Sequence, residues 1–206
     1  MRIKDAYKKP ILSSCPALMF LALIMATSCT HSQISGKLDD SGASIISSGF
    51  HLTSTAFKNR DTIPPVFTCD SSDISPPLEW KKPPGEVKSY ALIADDPDAP
   101  MGVWVHWVVF NIPGAYTSLQ AHFPIDSVTN SGIRQGITSF GTMGYRGPCP
   151  PDGVHHYYFK LFALDTILNL PCAATGEKKL IEAMKGHIIT EAGLMGLYKR
   201  KLKNIK

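Results

Sequence analysis

Residues 95–111 read DDPDAPMGVWVHWVVFN, an acidic proline-rich turn that leads directly into an apolar run. The run is rich in aromatic and β-branched residues, which favour a strand, and His106 lies near its start. Residues 90–94 form a second apolar run immediately before the turn. Further along, residues 144–151 form another loop rich in Gly and Pro, and residues 155–159 read HHYYF. Because each of these two stiff loops borders a β-rich strand, we expect the loops to meet over one small pocket.

The apolar runs between Phe50 and Tyr198 are short, β-rich and separated by Pro or Gly. Strands at this spacing, without intervening helices, predict a mainly β fold: an antiparallel β-sandwich with a C-terminal helix and few short helices. The predicted strands cover 51–57, 90–94, 103–112, 157–164 and 193–198, with an edge strand or bend at 63–69.

One helix is predicted near the C-terminus. Its apolar residues recur at steps of three and four, and they are Leu180, Ile181, Met184, Ile188 and Ala192. Thr175 is its expected N-cap and Gly193 its expected stop.

The formal net charge of +4 is concentrated at the two ends of the chain. Basic residues cluster within the first nine residues and again in residues 199–206, so the body between them is slightly acidic. This distribution argues against a nucleic-acid-binding face. We expect the basic tail, residues 201–206, to be a solvated end.

The N-terminal segment is typical of an export signal. Lys8 and Lys9 precede an apolar run at 16–25 that is too short to span a bilayer, so residues 1–28 are predicted to be a signal peptide. The run ends in Ala26-Thr27-Ser28-Cys29, which resembles a bacterial lipobox and makes Cys29 the expected site of lipid attachment. Cleavage nearby by signal peptidase I is the alternative. Residues 29–49 are expected to be a flexible tether to a domain at 50–200. These features predict a protein of the bacterial cell envelope, either anchored to a membrane by its lipidated N-terminus or periplasmic.

Several ordered motifs of the domain resemble the phosphatidylethanolamine-binding protein family, in particular its bacterial Raf-kinase-inhibitor-like branch. The motifs are Phe67-Thr68-Cys69-Asp70, residues 75–80, residues 96–100, residues 104–107, Asn111-Ile112-Pro113 and Gly147-Pro148-Cys149-Pro150-Pro151 with His155 and Tyr157. The resemblance extends from about Phe50 to Arg200 and implies a β-sandwich with an anion-accepting pocket at one end.

The resemblance also implies the ligand-binding residues, which are Asp96, Asp98, Trp104, His106, Gly147, Pro148, Cys149, Pro150, His155 and Tyr157. It implies a cis peptide between Ala99 and Pro100 as well. His156 stands where this branch usually has arginine, and Arg146 is expected to add positive charge at the pocket mouth. Without the resemblance, an Asp before Pro is more often a turn cap, and a lone His on a strand is more often a core residue.

Two imidazoles and a phenol can donate hydrogen bonds to phosphate oxygens. The carboxylates of Asp96 and Asp98 are expected to hold the histidine rings in one tautomer and to raise their proton affinity, while repelling a free anion. The expected ligand is therefore a small phosphate-bearing or zwitterionic head group resembling phosphoethanolamine. No cofactor and no metal is expected.

Two other functions remain open. Asp and His clusters can support metal-dependent hydrolysis, but the sequence holds no His-Glu-x-x-His motif, no nucleophile elbow and no phosphate-binding glycine loop, so catalysis is not expected. Relatives restrain kinases or proteases, so an inhibitor or modulator of an unknown protein partner is the leading alternative.

The cysteines fit an oxidising compartment. If Cys29 is lipidated, then Cys69, Cys149 and Cys172 remain, and three thiols allow one disulfide. Cys69 and Cys149 lie in loops expected near the pocket and are the favoured pair, which leaves Cys172 free.

Overall fold

The computed structural model describes residues 49–200. The predicted signal peptide, Cys29, nearly all of the predicted tether and the basic tail at 201–206 lie outside the described residues. Between residues 49 and 200, no helix combines the length and the hydrophobicity that are needed to cross a bilayer.

An antiparallel sheet of five strands forms the centre of the fold. In chain order its strands are β3 (Ser89–Asp96), β4 (Trp104–Pro113), β6 (Arg134–Gln135), β7 (His155–Leu164) and β8 (Ile188–Tyr198), and their spatial order is β6-β4-β3-β7-β8. All eight residues of β3 are buried, because this central strand is covered on both faces. A near-continuous apolar run is typical of such a strand.

A second antiparallel sheet of three short strands, β1 (Leu52–Thr53), β2 (Leu78–Trp80) and β5 (Ser118–Leu119), covers one face of the large sheet. Trp80 and Tyr90 pack edge to face within this core, with ring centroids 5.4 Å apart. Helix α1 (Glu177–Met184) covers the opposite face, where Leu180 packs in a separate cluster with Ile93. The predicted mainly β sandwich with a C-terminal helix is confirmed.

The predicted helix was too long. It ends at Met184, and Ile188 and Ala192 belong to β8, which pairs with β7 along its length. A spacing of four also fits the two-residue period of a strand, so the pattern alone does not separate the two structures. In β8 a bulge after Ile188 shifts the register, and Ile188 and Ala192 lie on opposite faces of the sheet. The helix stops because Lys185 leaves the helical conformation and Gly186 follows with φ +77°. Its N-cap position is occupied by Gly176; Thr175 instead donates its hydroxyl to the carbonyl of Pro171 at 2.6 Å.

Two early segments also differ from the prediction. The strand predicted for 51–57 is limited to Leu52–Thr53, because Ser54 Oγ accepts a hydrogen bond from the Ala56 backbone and turns the chain. The segment 63–69 contains a 3₁₀ turn at Pro65–Phe67 instead of an edge strand. A proline at the start of this turn has no N–H to leave unpaired, and its φ suits the turn.

Candidate functional site

A cavity of about 430 Å³ opens at the end of the large sheet where β3 ends and where β4 and β7 begin. Antiparallel pairing brings these strand ends together, as the partnership of Asp96 with Trp104 shows. The cavity is lined by Asp96, Ala99, Pro100, Met101, Trp104, His106, Phe140, Cys149, Pro150, Pro151, His155 and Tyr157.

The floor of the cavity holds a buried histidine–aspartate pair. His155 Nδ1 lies 2.8 Å from Asp96 Oδ2, and the two side chains are only 7% and 5% exposed. The other carboxylate oxygen of Asp96 accepts the backbone N–H of Asp98 at 2.9 Å. The carboxylate therefore holds the His155 proton on Nδ1, which leaves Nε2 as an acceptor when the ring is neutral.

The His106 ring is held by a backbone carbonyl, whereas the His155 ring is held by a carboxylate. Its Nδ1 donates to the carbonyl of Arg146 at 2.6 Å, so its Nε2 is also an acceptor in the neutral ring. Burial lowers the pKa of His106, and the nearby charge of Asp96 only partly opposes this effect. Asp96 therefore raises the proton affinity of His106 as expected, but burial outweighs this contribution, and the ring is neutral at pH 7.

Tyr157 supplies a buried hydroxyl that makes no hydrogen bond of normal geometry among the described residues, although the Asp96 carboxylate and the Cys149 backbone are its polar neighbours. Burial and the negative charge of Asp96 raise the pKa of this phenol, so the hydroxyl keeps its proton. The ring is held edge-on against His106, with centroids 5.3 Å apart. An unpaired polar group in a cavity is a candidate ligand contact, since leaving it unpaired costs free energy.

Asp98 does not line the cavity. It accepts two hydrogen bonds from the neighbouring strand, from His156 Nδ1 at 2.6 Å and from the His156 backbone at 2.8 Å. These bonds lower the pKa of Asp98. Successive histidines of β7 thus hold two aspartates of the same turn, and His156 bonds Asp98 from the position where this branch usually has arginine.

The turn that carries these aspartates closes without a cis peptide. Residues 49–200 contain only trans bonds, so the predicted cis peptide between Ala99 and Pro100 is wrong. The chain reverses because Asp96 caps the Asp98 backbone and because Gly102, with φ +92°, donates its N–H to the Ala99 carbonyl at 3.0 Å. A glycine adopts this positive φ at little cost.

The second loop is held from behind by a disulfide and by two hydrogen bonds, one to Asp73 and one from the Cys69 backbone to the Pro148 carbonyl. Cys149 is joined to Cys69, and Cys172 is the free cysteine of the described chain. Gly147 donates its backbone N–H to Asp73 Oδ1 at 2.6 Å, and a Cβ at Gly147 would lie 2.3 Å from the Phe67 carbonyl oxygen. Gly147 and Pro148 therefore do not line the cavity but position Cys149 and Pro150, which do.

Phe140 and Met101 line the cavity but were missed by the sequence interpretation. The Phe140 ring lies 5.5 Å from Trp104 and 5.3 Å from His106. It lies in a loop without periodicity or motif, so no sequence signal identifies it. The guanidinium of Arg146 lies 5.6 Å from the Phe140 centroid and 3.7 Å from Asp73, so its charge is near the mouth and partly offset.

Comparisons with known proteins identify the family of the chain. The family model for phosphatidylethanolamine-binding protein matches residues 53–199. A UPF0098 protein of Methanothermobacter thermautotrophicus is 53% identical over 73% of this chain and 99% of its own length, and one of Aquifex aeolicus is 46% identical over 80% and 94%.

Solved structures give the same result. A phosphatidylethanolamine-binding protein homolog of Chlamydia trachomatis superposes with a TM-score of 0.68 at 41% identity, covering 75% of this chain and 99% of that one. The Escherichia coli protein YbcL, a member of the mammalian family, gives 0.70 at 31% identity, covering 75% and 100%. The chain belongs to the phosphatidylethanolamine-binding protein family and is a binding protein of that type.

Proposed function

We propose that the chain is an exported, lipid-anchored protein that binds a small zwitterionic, phosphate-bearing head group in the cavity without transforming it. The observation that carries the proposal is the unpaired Tyr157 hydroxyl, which lies in the same cavity as the buried Asp96–His155 pair and His106. These groups offer one donor and several acceptors in a small volume.

A zwitterion matches these groups better than a free anion does. The Asp96 carboxylate and the Nε2 atom of the neutral His106 ring accept hydrogen bonds, as does Nε2 of His155 whenever that ring is neutral, and so they suit an ammonium group. The Tyr157 hydroxyl donates, and so it suits a phosphate oxygen. A phosphate without a cation would meet the negative charge of Asp96 with few donors to compensate for it.

Binding without catalysis is the simpler use of this arrangement. Between residues 49 and 200, no group of three or more His, Cys, Asp or Glu side chains is arranged to hold a metal ion. The Asp96, His106 and His155 side chains of the cavity floor are held by protein hydrogen bonds. The lining contains no serine, threonine or lysine that could act as a nucleophile, and its one cysteine, Cys149, is bound in the disulfide. A measured turnover of phosphoethanolamine would contradict this part of the proposal.

The disulfide supports export. A bridge between Cys69 and Cys149 is typical of proteins that fold in an oxidising compartment. Lipid attachment at Cys29 is tested by the mass of the protein isolated from the producing cell. A diacylated cysteine at the mature N-terminus is expected, and an unmodified N-terminus elsewhere would contradict the anchor.

Replacing Tyr157 by Phe is expected to weaken phosphoethanolamine binding about fivefold to tenfold, because the variant removes only the unpaired hydroxyl and keeps the packed ring. Isothermal titration calorimetry measures this change. Stability should be maintained, since no protein hydrogen bond is lost.

Tyr145→Phe is the matched control. Its hydroxyl donates to the Phe67 carbonyl at 2.8 Å, outside the cavity lining, so this variant should lose about 1 kcal/mol of stability and keep its affinity. Equal affinities for wild type and Tyr157→Phe would remove the main support of the proposed function.

A further inference from the structure

A second cavity lies at the end of the large sheet that is opposite the first cavity. At this end β3 begins and β4 and β7 end, as the pairing of Ser89 with both Pro113 and Leu164 shows. Its volume is about 420 Å³, which is close to that of the first cavity. Its lining comes from the start of β3, the end of β4, strand β6 and the loop after β7. The two linings share no residue, so the second cavity is a separate candidate site.

The lining of the second cavity is basic, although the body of the chain is slightly acidic. Lys88 and Arg134 belong to the lining, and no Asp or Glu does. Asp165 lies in the loop after β7, but it is outside the lining, and its carboxylate is 2.8 Å from His187 Nδ1. The first cavity differs, because Asp96 lies at its floor. The second cavity therefore favours an anion and lacks a carboxylate that could hold an ammonium group.

Arg134 is a half-buried cation without an acidic partner. Its Nη1 donates to the Leu170 carbonyl at 3.1 Å, and the guanidinium makes no other hydrogen bond between residues 49 and 200. Neither Arg134 nor Lys88 forms an ion pair in this part of the chain. A guanidinium has five N–H donors, so most of those of Arg134 are unused. Because a partly buried charge without a partner costs free energy, an oxyanion in the cavity would be stabilising here.

The walls of the second cavity are held by protein hydrogen bonds before any ligand binds. The Asn111 amide donates to the Leu168 carbonyl at 2.8 Å and accepts the Leu168 N–H at 2.9 Å. The Ser89 hydroxyl donates to the Thr166 carbonyl at 2.5 Å and so fixes the same loop. Asn111 has φ +57°, a conformation that residues other than glycine seldom adopt and that is found more often at functional sites. A site with fixed walls loses less conformational freedom when it binds.

Other lining residues suit a phosphate that is joined to a short apolar group. Ser131 and Asn169 add a hydroxyl and an amide, which can donate hydrogen bonds beside the two cations. A phosphate monoester offers three acceptor oxygens and up to two negative charges, so it uses these donors more fully than a carboxylate does. Ile167 is 67% exposed and also lines the cavity, and it offers an apolar contact that a bare phosphate ion cannot use.

We propose that the second cavity binds a small phosphate monoester that carries a short apolar group and no cation. Arg134 and Lys88 hold the phosphate, and Ile167 contacts the apolar group. This site does not depend on the proposed function, because none of its residues belongs to the first cavity. The two cavities then select by charge: the first takes a zwitterion and the second takes a pure anion.

Titration of the full-length protein with n-butyl phosphate, followed by isothermal titration calorimetry at low ionic strength, tests this site. The double variant Lys88→Gln with Arg134→Gln should bind about tenfold more weakly or worse, because both charge-assisted contacts are lost. The matched control is Lys58→Gln with Arg60→Gln, an exposed pair outside the cavity whose loss changes the net charge equally. The control should bind as the wild type does. Equal affinities of the double variant and the control would overturn the proposal.

Two further measurements do not depend on how well the double variant folds. Lys88→Gln alone keeps the bond between Arg134 and the Leu170 carbonyl, and it should weaken n-butyl phosphate binding about threefold to fivefold. In the wild type, the NMR signal of the Arg134 Nε–H group should shift saturably during the titration. An unchanged affinity in Lys88→Gln together with an unshifted Arg134 signal would overturn the proposal.

Tyr157→Phe separates the two cavities, because Tyr157 lines only the first. This variant should bind n-butyl phosphate as the wild type does, and an equal loss in it and in the double variant would place the ligand in the first cavity and overturn the second site. Butyrate, which has the same apolar chain on a carboxylate, should bind more weakly than n-butyl phosphate; tighter binding of butyrate would overturn the assignment to a phosphate. A wild type that binds phosphoethanolamine but not n-butyl phosphate would overturn the second site and leave the proposed function intact.

Discussion

Removing the bridge between Cys69 and Cys149 is expected to lower the free energy of unfolding by about 2–4 kcal/mol, through the double substitution Cys69→Ser and Cys149→Ser. The two residues are 80 positions apart, so the bridge restricts a large part of the unfolded chain. For a domain of this size the melting temperature should fall by roughly 5–15 °C. Thermal denaturation followed by circular dichroism measures the change.

In this variant the free energy of ligand binding should change by less than the free energy of unfolding. The loop that carries Cys149 is also held by the Gly147–Asp73 hydrogen bond and by the bond from the Cys69 backbone to the Pro148 carbonyl at 3.1 Å. Cys172→Ser is the control and should melt like the wild type, because its thiol only donates a weak bond to the Ser127 carbonyl. An unchanged melting temperature on full reduction of the wild type would contradict a stabilising role for the bridge.

Replacing Asp96 by Asn is expected to weaken phosphoethanolamine binding by about tenfold to a hundredfold and to reduce stability by about 2–3 kcal/mol. The substitution keeps the side-chain shape but removes the charge that faces the ligand's ammonium group. It also removes the carboxylate that holds the His155 proton on Nδ1 at 2.8 Å. Calorimetric titration and chemical denaturation measure the two losses separately.

Asp98→Asn is the matched control for this change. Asp98 also bonds a histidine, but the Asp98 and His156 side chains are 41% and 43% exposed and lie outside the cavity lining. Solvent screens such a pair, so stability should change by less than about 1 kcal/mol and affinity should hardly change. Equal effects of the two substitutions would show that Asp96 acts only as a turn residue.

Strands β3, β4 and β7 of the large sheet were predictable because each contains a β-rich apolar run. Strand β6 was not predicted, since its two residues carry no pattern. Helix α1 was predicted at the right place but too long, since Ile188 and Ala192 satisfy the helical and the strand period alike. The small sheet was harder, because its strands have only two or three residues each and therefore almost no pattern.

The site was predictable where the residues form motifs and not where it depends on packing. Asp96, His106, His155 and Tyr157 all line the cavity, as expected. Phe140 was not predictable, because it reaches the cavity from a loop without a pattern. The lowered pKa of His106 was not predictable either, since it depends on burial that only the folded chain shows.

The central claim is that a zwitterionic head group binds in the cavity, and histidine-ring NMR during a phosphoethanolamine titration tests it most directly. The account predicts saturable shifts of the Nε2 signals of His106 and His155. His187, which pairs with Asp165 beyond the far end of β7, should remain unchanged as an internal control. The absence of any saturable shift in the folded protein, or equal shifts of all three residues, would contradict the account.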